Sequence, residues 1–192
     1  MKKLIALLAM SFICVSLYAE SFTIGNTQPG TFFFIQGQSF TPNVQGNEGT
    51  GIATPNPDGN ILLTSFSLDF VNAATAPGEI HIFASAPTLA QAASGTGSIG
   101  TGTHVGGGVY DFGPGLLIPF FAKSFAVLPN SAEIFDAPNA YAGGADLFPI
   151  GGFVNEGGFD AGFNATFQTV PEPSTYLMFL ILGACVITRR KR

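Results

Sequence analysis

The chain has no tryptophan, two cysteines, two histidines and only seven basic residues among 192. Each scarcity removes a class of function. Cys14 and Cys185 sit near the two ends, so the stretch between them can form no intrachain disulfide and no thiolate metal site. His81 and His104 are the only imidazoles. There is no Gly-x-Ser-x-Gly elbow, no His-Glu-x-x-His run and no Gly-x-x-x-x-Gly-Lys-Ser/Thr phosphate-cradling loop, so the sequence signatures of the common serine hydrolases, zinc proteases and P-loop nucleotide binders are missing. Cation scarcity is sharper still. Lys2, Lys3, Arg189, Arg190, Lys191 and Arg192 occupy the termini, which leaves Lys123 alone against eleven acids between Glu20 and Val170, a formal charge of −10. Such a body repels nucleic acid and anionic lipid and would attract cations or basic partners.

What is present begins at the ends. Met1-Lys2-Lys3 is a positive n-region, Leu4 to Leu17 an apolar run, and Leu17-Tyr18-Ala19 ends on a small residue, so residues 1–19 are expected to be a signal helix cut by signal peptidase between Ala19 and Glu20. At the other end, Val170-Pro171-Glu172-Pro173-Ser174-Thr175 precedes an uncharged run from Tyr176 to Thr188 and the basic cluster Arg189-Arg190-Lys191-Arg192. The two prolines fix φ and lack an N–H, which keeps the segment extended and out of a neighbouring sheet. The leucine-rich run is expected to be a single hydrophobic helix, its backbone bonds closed internally and its basic end held in the cytoplasm. At about 1.5 Å per residue it spans roughly 20 Å against a hydrocarbon core of about 30 Å. That makes it a weak or temporary anchor in the inner membrane.

In this order, Pro-Glu-Pro motif, hydrophobic helix and basic tail, residues 170–192 resemble the PEP-CTERM sorting signal. The resemblance covers the tail alone. It implies handling by an exosortase, a membrane-embedded cysteine-protease-like enzyme of exopolysaccharide-producing bacteria, with the product at the cell surface or in the extracellular matrix. An ordinary tail anchor behind a proline linker is the competing reading.

Residues 20–169 read as one extracellular all-β domain, an antiparallel sandwich or jelly roll, because glycine and proline punctuate short alternating stretches. Strands are expected at Ser21–Ile24, Thr31–Ile35 and Gln38–Thr41. The clearest runs from Leu62 to Val71, with Leu62, Phe66, Leu68 and Phe70 on one face and Ser65, Ser67 and Asp69 on the other. Glu79–Ala84 sets Ile80, Ile82 and Ala84 against Glu79, His81 and Phe83, and the two strands are expected to be adjacent or facing. Ala161, Phe163, Ala165 and Phe167 mark a closing strand. Asn56-Pro57-Asp58-Gly59 has turn chemistry. Ala92 to Gly108, rich in small residues, is expected to be a mobile loop carrying a solvated His104.

For function, Tyr141, Asp146, Glu156 and Asp160 offer an aromatic face and acceptor oxygens on late loops, the chemistry of a sugar or calcium–sugar site. The favoured competing reading is that Tyr141 packs and the glycines of Asn139-Ala140-Tyr141-Ala142-Gly143-Gly144 shape a turn. That segment, Asp160-Ala161-Gly162-Phe163 and Gln38-Ser39-Phe40-Thr41 together resemble the jelly-roll-like extracellular domains that precede such tails. No catalytic residues are selected. The expected role is non-enzymatic, structural or exopolysaccharide-binding. The alternative is a secreted polysaccharide hydrolase using a carboxylate pair, and a half-exposed His81 beside Glu79 is expected to be structural.

Overall fold

Alternation of bulky apolar residues with small or polar ones drives strand formation throughout the body. The structure, a computed structural model, describes residues 19–26, 30–46, 58–137 and 141–169. The signal segment before Ala19, the sorting tail from Val170, and Asn56 and Pro57 of the expected turn lie outside the described residues. Ala19 and Glu20 are exposed and irregular. No helix among the described residues is long and apolar enough to cross a membrane.

In chain order the strands are β1 (Ser21–Asn26), β2 (Phe32–Phe40), β3 (Asn60–Leu68), β4 (Glu79–Phe83), β5 (Gly100–Gly106), β6 (Val109–Pro119), β7 (Ser124–Ala137), β8 (Asp146–Ile150), β9 (Phe153–Glu156), β10 (Asp160–Ala161) and β11 (Phe163–Gln168). One short helix, α1 (Leu89–Ser94), lies between β4 and β5. The strand order is β1-β11-β3-β6-β5-β4-β7-β2-β8-β9, with β10 paired to β7. All ladders between these strands are antiparallel. The described residues are all-β in class.

The sheet curls back over its own face. Five steps separate β3 from β2 in the strand order, roughly 24 Å in a flat sheet at about 4.8 Å per strand. Yet the rings of Phe40 on β2 and Phe66 on β3 are 5.3 Å apart, and Phe40 also approaches Phe167 of β11 at 6.2 Å. Only a sheet folded over a shared core allows both contacts. That core takes Ile24, Ile35, Phe40, Ile61, Leu63, Phe66, Ile80, Ile82, Ile118, Leu128, Phe163 and Phe167 from seven and more strands.

The expected burial of Phe66, Leu68, Phe70, Ile80 and Ile82 is found, as is that of Ala161, Phe163, Ala165 and Phe167, but alternation holds only from Phe163, because Asp160 and Ala161 form β10 against β7 and Asp160 and Gly162 are buried too. Four expectations need correcting. Leu62 does not share the face of Phe66: Ile61 and Leu63 are buried instead, because the β3–β6 register shifts between Leu63 and Ser65 and inverts the side-chain parity. Of the two arrangements expected for β3 and β4, adjacency is ruled out, since β6 and β5 stand between them, although Phe66 and Leu68 enter the same core as Ile80 and Ile82. Ala84 is exposed beyond the end of β4.

The fourth concerns the glycine-rich stretch, which is not a loop. Thr88 and Gln91 form a reciprocal capping box that starts α1, and β5 follows at Gly100. A Cβ on Gly100 would lie 2.5 Å from Leu116, and one on Gly102 2.8 Å from Phe112. Neighbouring side chains of β6 thus cover β5, so small residues there serve close packing rather than mobility. α1 in turn packs on the outer face of this part of the sheet, and with β4, β7, β8 and β9 it encloses a second cluster of Phe83, Ala92, Val127, Leu147 and Val154.

Candidate functional site

Gln38 to Thr41 of β2 and its exit form the point on which the expected site residues meet. Burial is 90% or more for Tyr141, Asp146 and Asp160. The Tyr141 hydroxyl donates to the Thr41 carbonyl at 2.6 Å and accepts from the Thr41 N–H at 2.8 Å. Its ring stands edge-on to Phe163, centroids 5.0 Å apart. Burial pushes the Tyr141 phenol well above its ordinary range. The Thr41 hydroxyl donates to the Gly143 carbonyl at 2.6 Å. Tyr141 is therefore a structural clamp on the β2 exit, the packing role weighed against ligand contact.

Asp160 is engaged just as fully. Its Oδ1 accepts from Gln38 Nε2 at 3.0 Å and its Oδ2 from the Tyr141 N–H at 3.1 Å, while Gln38 Oε1 accepts the Ala161 N–H at 2.8 Å. One glutamine side chain thus serves as a bridge to both residues of β10. Ser39, the next residue, faces the other way. The Ala145 N–H donates to its hydroxyl oxygen at 2.8 Å, and that hydroxyl donates to the Glu156 carboxylate. Glu156 also takes Lys123 Nζ at 2.6 Å. Burial raises the Glu156 carboxyl, but the bonds from Lys123 and Ser39 outweigh it and hold it below its ordinary value. A Cβ at Gly144 would sit 1.9 Å from the Ser39 carbonyl oxygen, so only glycine lets this loop lie against β2.

Asp146 heads β8. Its Oδ1 accepts the Phe159 N–H at 3.3 Å, and its backbone exchanges bonds with Phe159 and Gly157. Burial pushes its carboxyl up to about 6, against the lowering by the Phe159 N–H and with the charges of Asp136 and Asp160 adding to the rise. Asp136, which the sequence did not single out, completes this group. It is 7% exposed, its Oδ1 has no hydrogen-bond partner, and burial followed by the charge of Asp160 raises its carboxyl. A carboxylate on the polar-looking end of a strand gave no sequence signal that β10 would close over it.

Each carboxylate expected to face a sugar or calcium thus accepts from a donor of the chain itself: Asp146 from the Phe159 N–H, Asp160 from the Tyr141 N–H and the Gln38 amide, and the exposed Glu156 from Lys123 and the Ser39 hydroxyl. Among the described residues no group of three or more His, Cys, Asp or Glu side chains is arranged to hold a metal ion.

The histidines differ from expectation. His81 is buried, not half-exposed, because α1 and Gly95 cover its face of β4; Nδ1 is 3.0 Å from the Thr101 hydroxyl and Nε2 3.5 Å from Glu79. Burial lowers its pKa, partly offset by Glu79. His104 is not a solvated loop residue: it lies on β5, partly buried, with its ring 5.4 Å from that of Tyr110.

One further feature escaped the sequence. Phe34 on β2 is 63% exposed and borders an open groove of about 470 Å³ between β2, β7 and the 3₁₀ turn Ala73–Thr75. Comparison of the chain with family models, with curated proteins and with solved structures gave no match.

Proposed function

We propose that this chain is exported, that its tail is processed by an exosortase, and that its β domain acts without catalysis at the cell surface or in the extracellular matrix, as a structural or polysaccharide-binding module. One observation carries the reading: the order Val170-Pro171-Glu172-Pro173-Ser174, uncharged run, Arg189 to Arg192. Signal peptidase would cut at Ala19, the short hydrophobic helix would stall the chain in the inner membrane, and the proline-stiffened segment would stand outside it, open to the enzyme. We read the β domain as a sandwich or jelly roll, since a sheet folded over one core is the arrangement either requires.

The hydrolase alternative needs two carboxylates facing a cleft. Asp136, Asp146 and Asp160 approach one another but are buried, and two of them hold backbone N–H groups. This favours the non-enzymatic reading. The test is the intact mass of the protein from its native host, with and without an active exosortase. Loss of Arg189 to Arg192 only in the active strain supports the proposal. A chain that keeps them in both strains is a plain anchor.

A further inference from the structure

The two long strands β2 and β7 run in register except at one place. Ile35 pairs with Ala132 and Gly37 with Val127, so β2 advances two residues while β7 advances five. Leu128, Pro129, Asn130 and Ser131 are left off the ladder. Pro129 lacks the N–H a ladder would need, which suits it to such a bulge. The gap is sealed from behind, where Gln36 Nε2 donates to the Leu128 carbonyl at 3.2 Å. Bulges of this kind re-aim side chains and gather next to functional sites.

Here the bulge turns polar groups toward the groove beside Phe34. Asn130, Ser131 and Glu133 line it, are exposed, and are held by no side-chain hydrogen bond to another described residue. Glu133 is the direct cross-strand partner of Phe34, so its carboxylate and the ring stand on the same face of the sheet. Thr75 and Pro77 form the opposite wall. The Thr75 hydroxyl donates to the Asn72 carbonyl at 2.8 Å and keeps its lone pairs free to accept.

We propose that this groove is a subsite for a neutral sugar of a polysaccharide, a proposal that rests on the polysaccharide-binding form of the reading above. Three observations carry it. An exposed phenylalanine ring offers an apolar face on which the C–H side of a pyranose can lie. An amide, a hydroxyl and a carboxylate around it supply both donors and acceptors for sugar hydroxyls, and none has to break a side-chain bond to another described residue first. The volume, about 470 Å³, falls within the roughly 300–1,000 Å³ of small-molecule sites, and the groove is open to solvent. Charge chooses the sugar: Glu133 sits in the groove, and the body carries a single lysine against eleven acids, which disfavours uronate, sulfate or phosphate groups.

The full chain, held in detergent micelles, can be run through native gels containing dextran, hydroxyethylcellulose, galactomannan or alginate. Retardation by at least one of the three neutral polymers is expected, with little by alginate. Phe34→Ala should weaken that binding about tenfold or more, Phe34→Tyr should restore it, and Phe121→Ala, which trims another exposed ring, should leave it unchanged. If Phe34→Ala does not fold by circular dichroism, Asn130→Ala and Glu133→Gln carry the test, each expected to weaken binding. Retention of binding in all groove variants overturns the groove while leaving polysaccharide binding intact. A chain retarded by none of the polymers overturns both, and one retarded chiefly by alginate overturns the neutral-sugar assignment.

Discussion

Asp146 is a carboxyl whose protonated form the fold prefers. Its ordinary value near 3.8 rises to about 6 on burial. Because the folded value lies above the unfolded one, its contribution to stability is fully present below about pH 4 and is lost as pH climbs through 6. Glu156, held low by Lys123 and Ser39, runs the other way, its contribution being lost only as pH falls below the ordinary carboxylate range. The two together place maximum stability in mildly acidic solution. Asp146 therefore raises the melting temperature at pH 5 relative to pH 8, against His81, whose burial-lowered pKa removes stability as pH falls through its ordinary value near 6.5. Asp146→Asn keeps an oxygen for the Phe159 N–H and removes the charge, so it should stabilise the protein at pH 8 by up to about 3 kcal/mol and flatten the difference. Melting curves of both proteins at the two pH values check this, and an unchanged slope in the variant would move the effect to Asp136, whose carboxyl is also raised by burial. At this scale the sequence was half legible. Stretches 38–41, 141–144 and 160–163, which the sequence singled out only for their likeness to the domains that precede such tails, do meet. Which way the polar groups turn was not readable, since Gln38 and Asp160 are 122 residues apart and nothing local says that one will satisfy the other.

Between elements, the connection from α1 to β5 shows why composition misled. Small residues predict a mobile loop only if nothing packs on them, and here Leu116, Phe112 and the His81 ring do. Period-two alternation was legible where one face is solvated, as in β11, but not in β4, where α1 buries the second face as well. Gly95 is the tightest point of this cover. It ends α1 in the left-handed region at φ 69°, and a Cβ there would lie 2.7 Å from the His81 ring. Gly97 has a similar φ of 83°, but its nearest neighbour would be Gln91 Nε2 at 3.5 Å. Gly97→Ala should thus cost only the backbone strain, about 1 kcal/mol. Gly95→Ala adds displacement of a buried ring and should cost about 2–4 kcal/mol. Urea unfolding of the two variants measures the difference. Equal losses would mean that α1 swings away freely and that His81 is not pinned.

Over the whole molecule, the dominant long-range force is the charge of the acidic body. Eleven acids and one lysine between Glu20 and Val170 repel one another across the folded surface more strongly than in the expanded unfolded chain, and this lowers stability. Opposing it is the ion pair of Lys123 with Glu156 at 2.6 Å, whose side chains are 41% and 34% exposed. A pair so open to water contributes about 0–1 kcal/mol. Salt weakens both effects, and the repulsion, summed over many charges at long range, has more to lose: the Debye length falls from about 30 Å at 0.01 M to about 10 Å at 0.1 M. The melting temperature at pH 7.5 should therefore rise as sodium chloride increases from 0.01 to about 0.5 M, with most of the gain in the first tenfold step, where screening changes over distances comparable to the domain itself. Lys123→Met removes the one internal counter-charge and should steepen that dependence, since the variant begins with more repulsion to screen. Sodium chloride is preferred to sulfate because sulfate also strengthens apolar burial and would raise the melting temperature for an unrelated reason. A melting temperature that falls with salt would mean that the Lys123–Glu156–Ser39 linkage outweighs the repulsion of the entire surface.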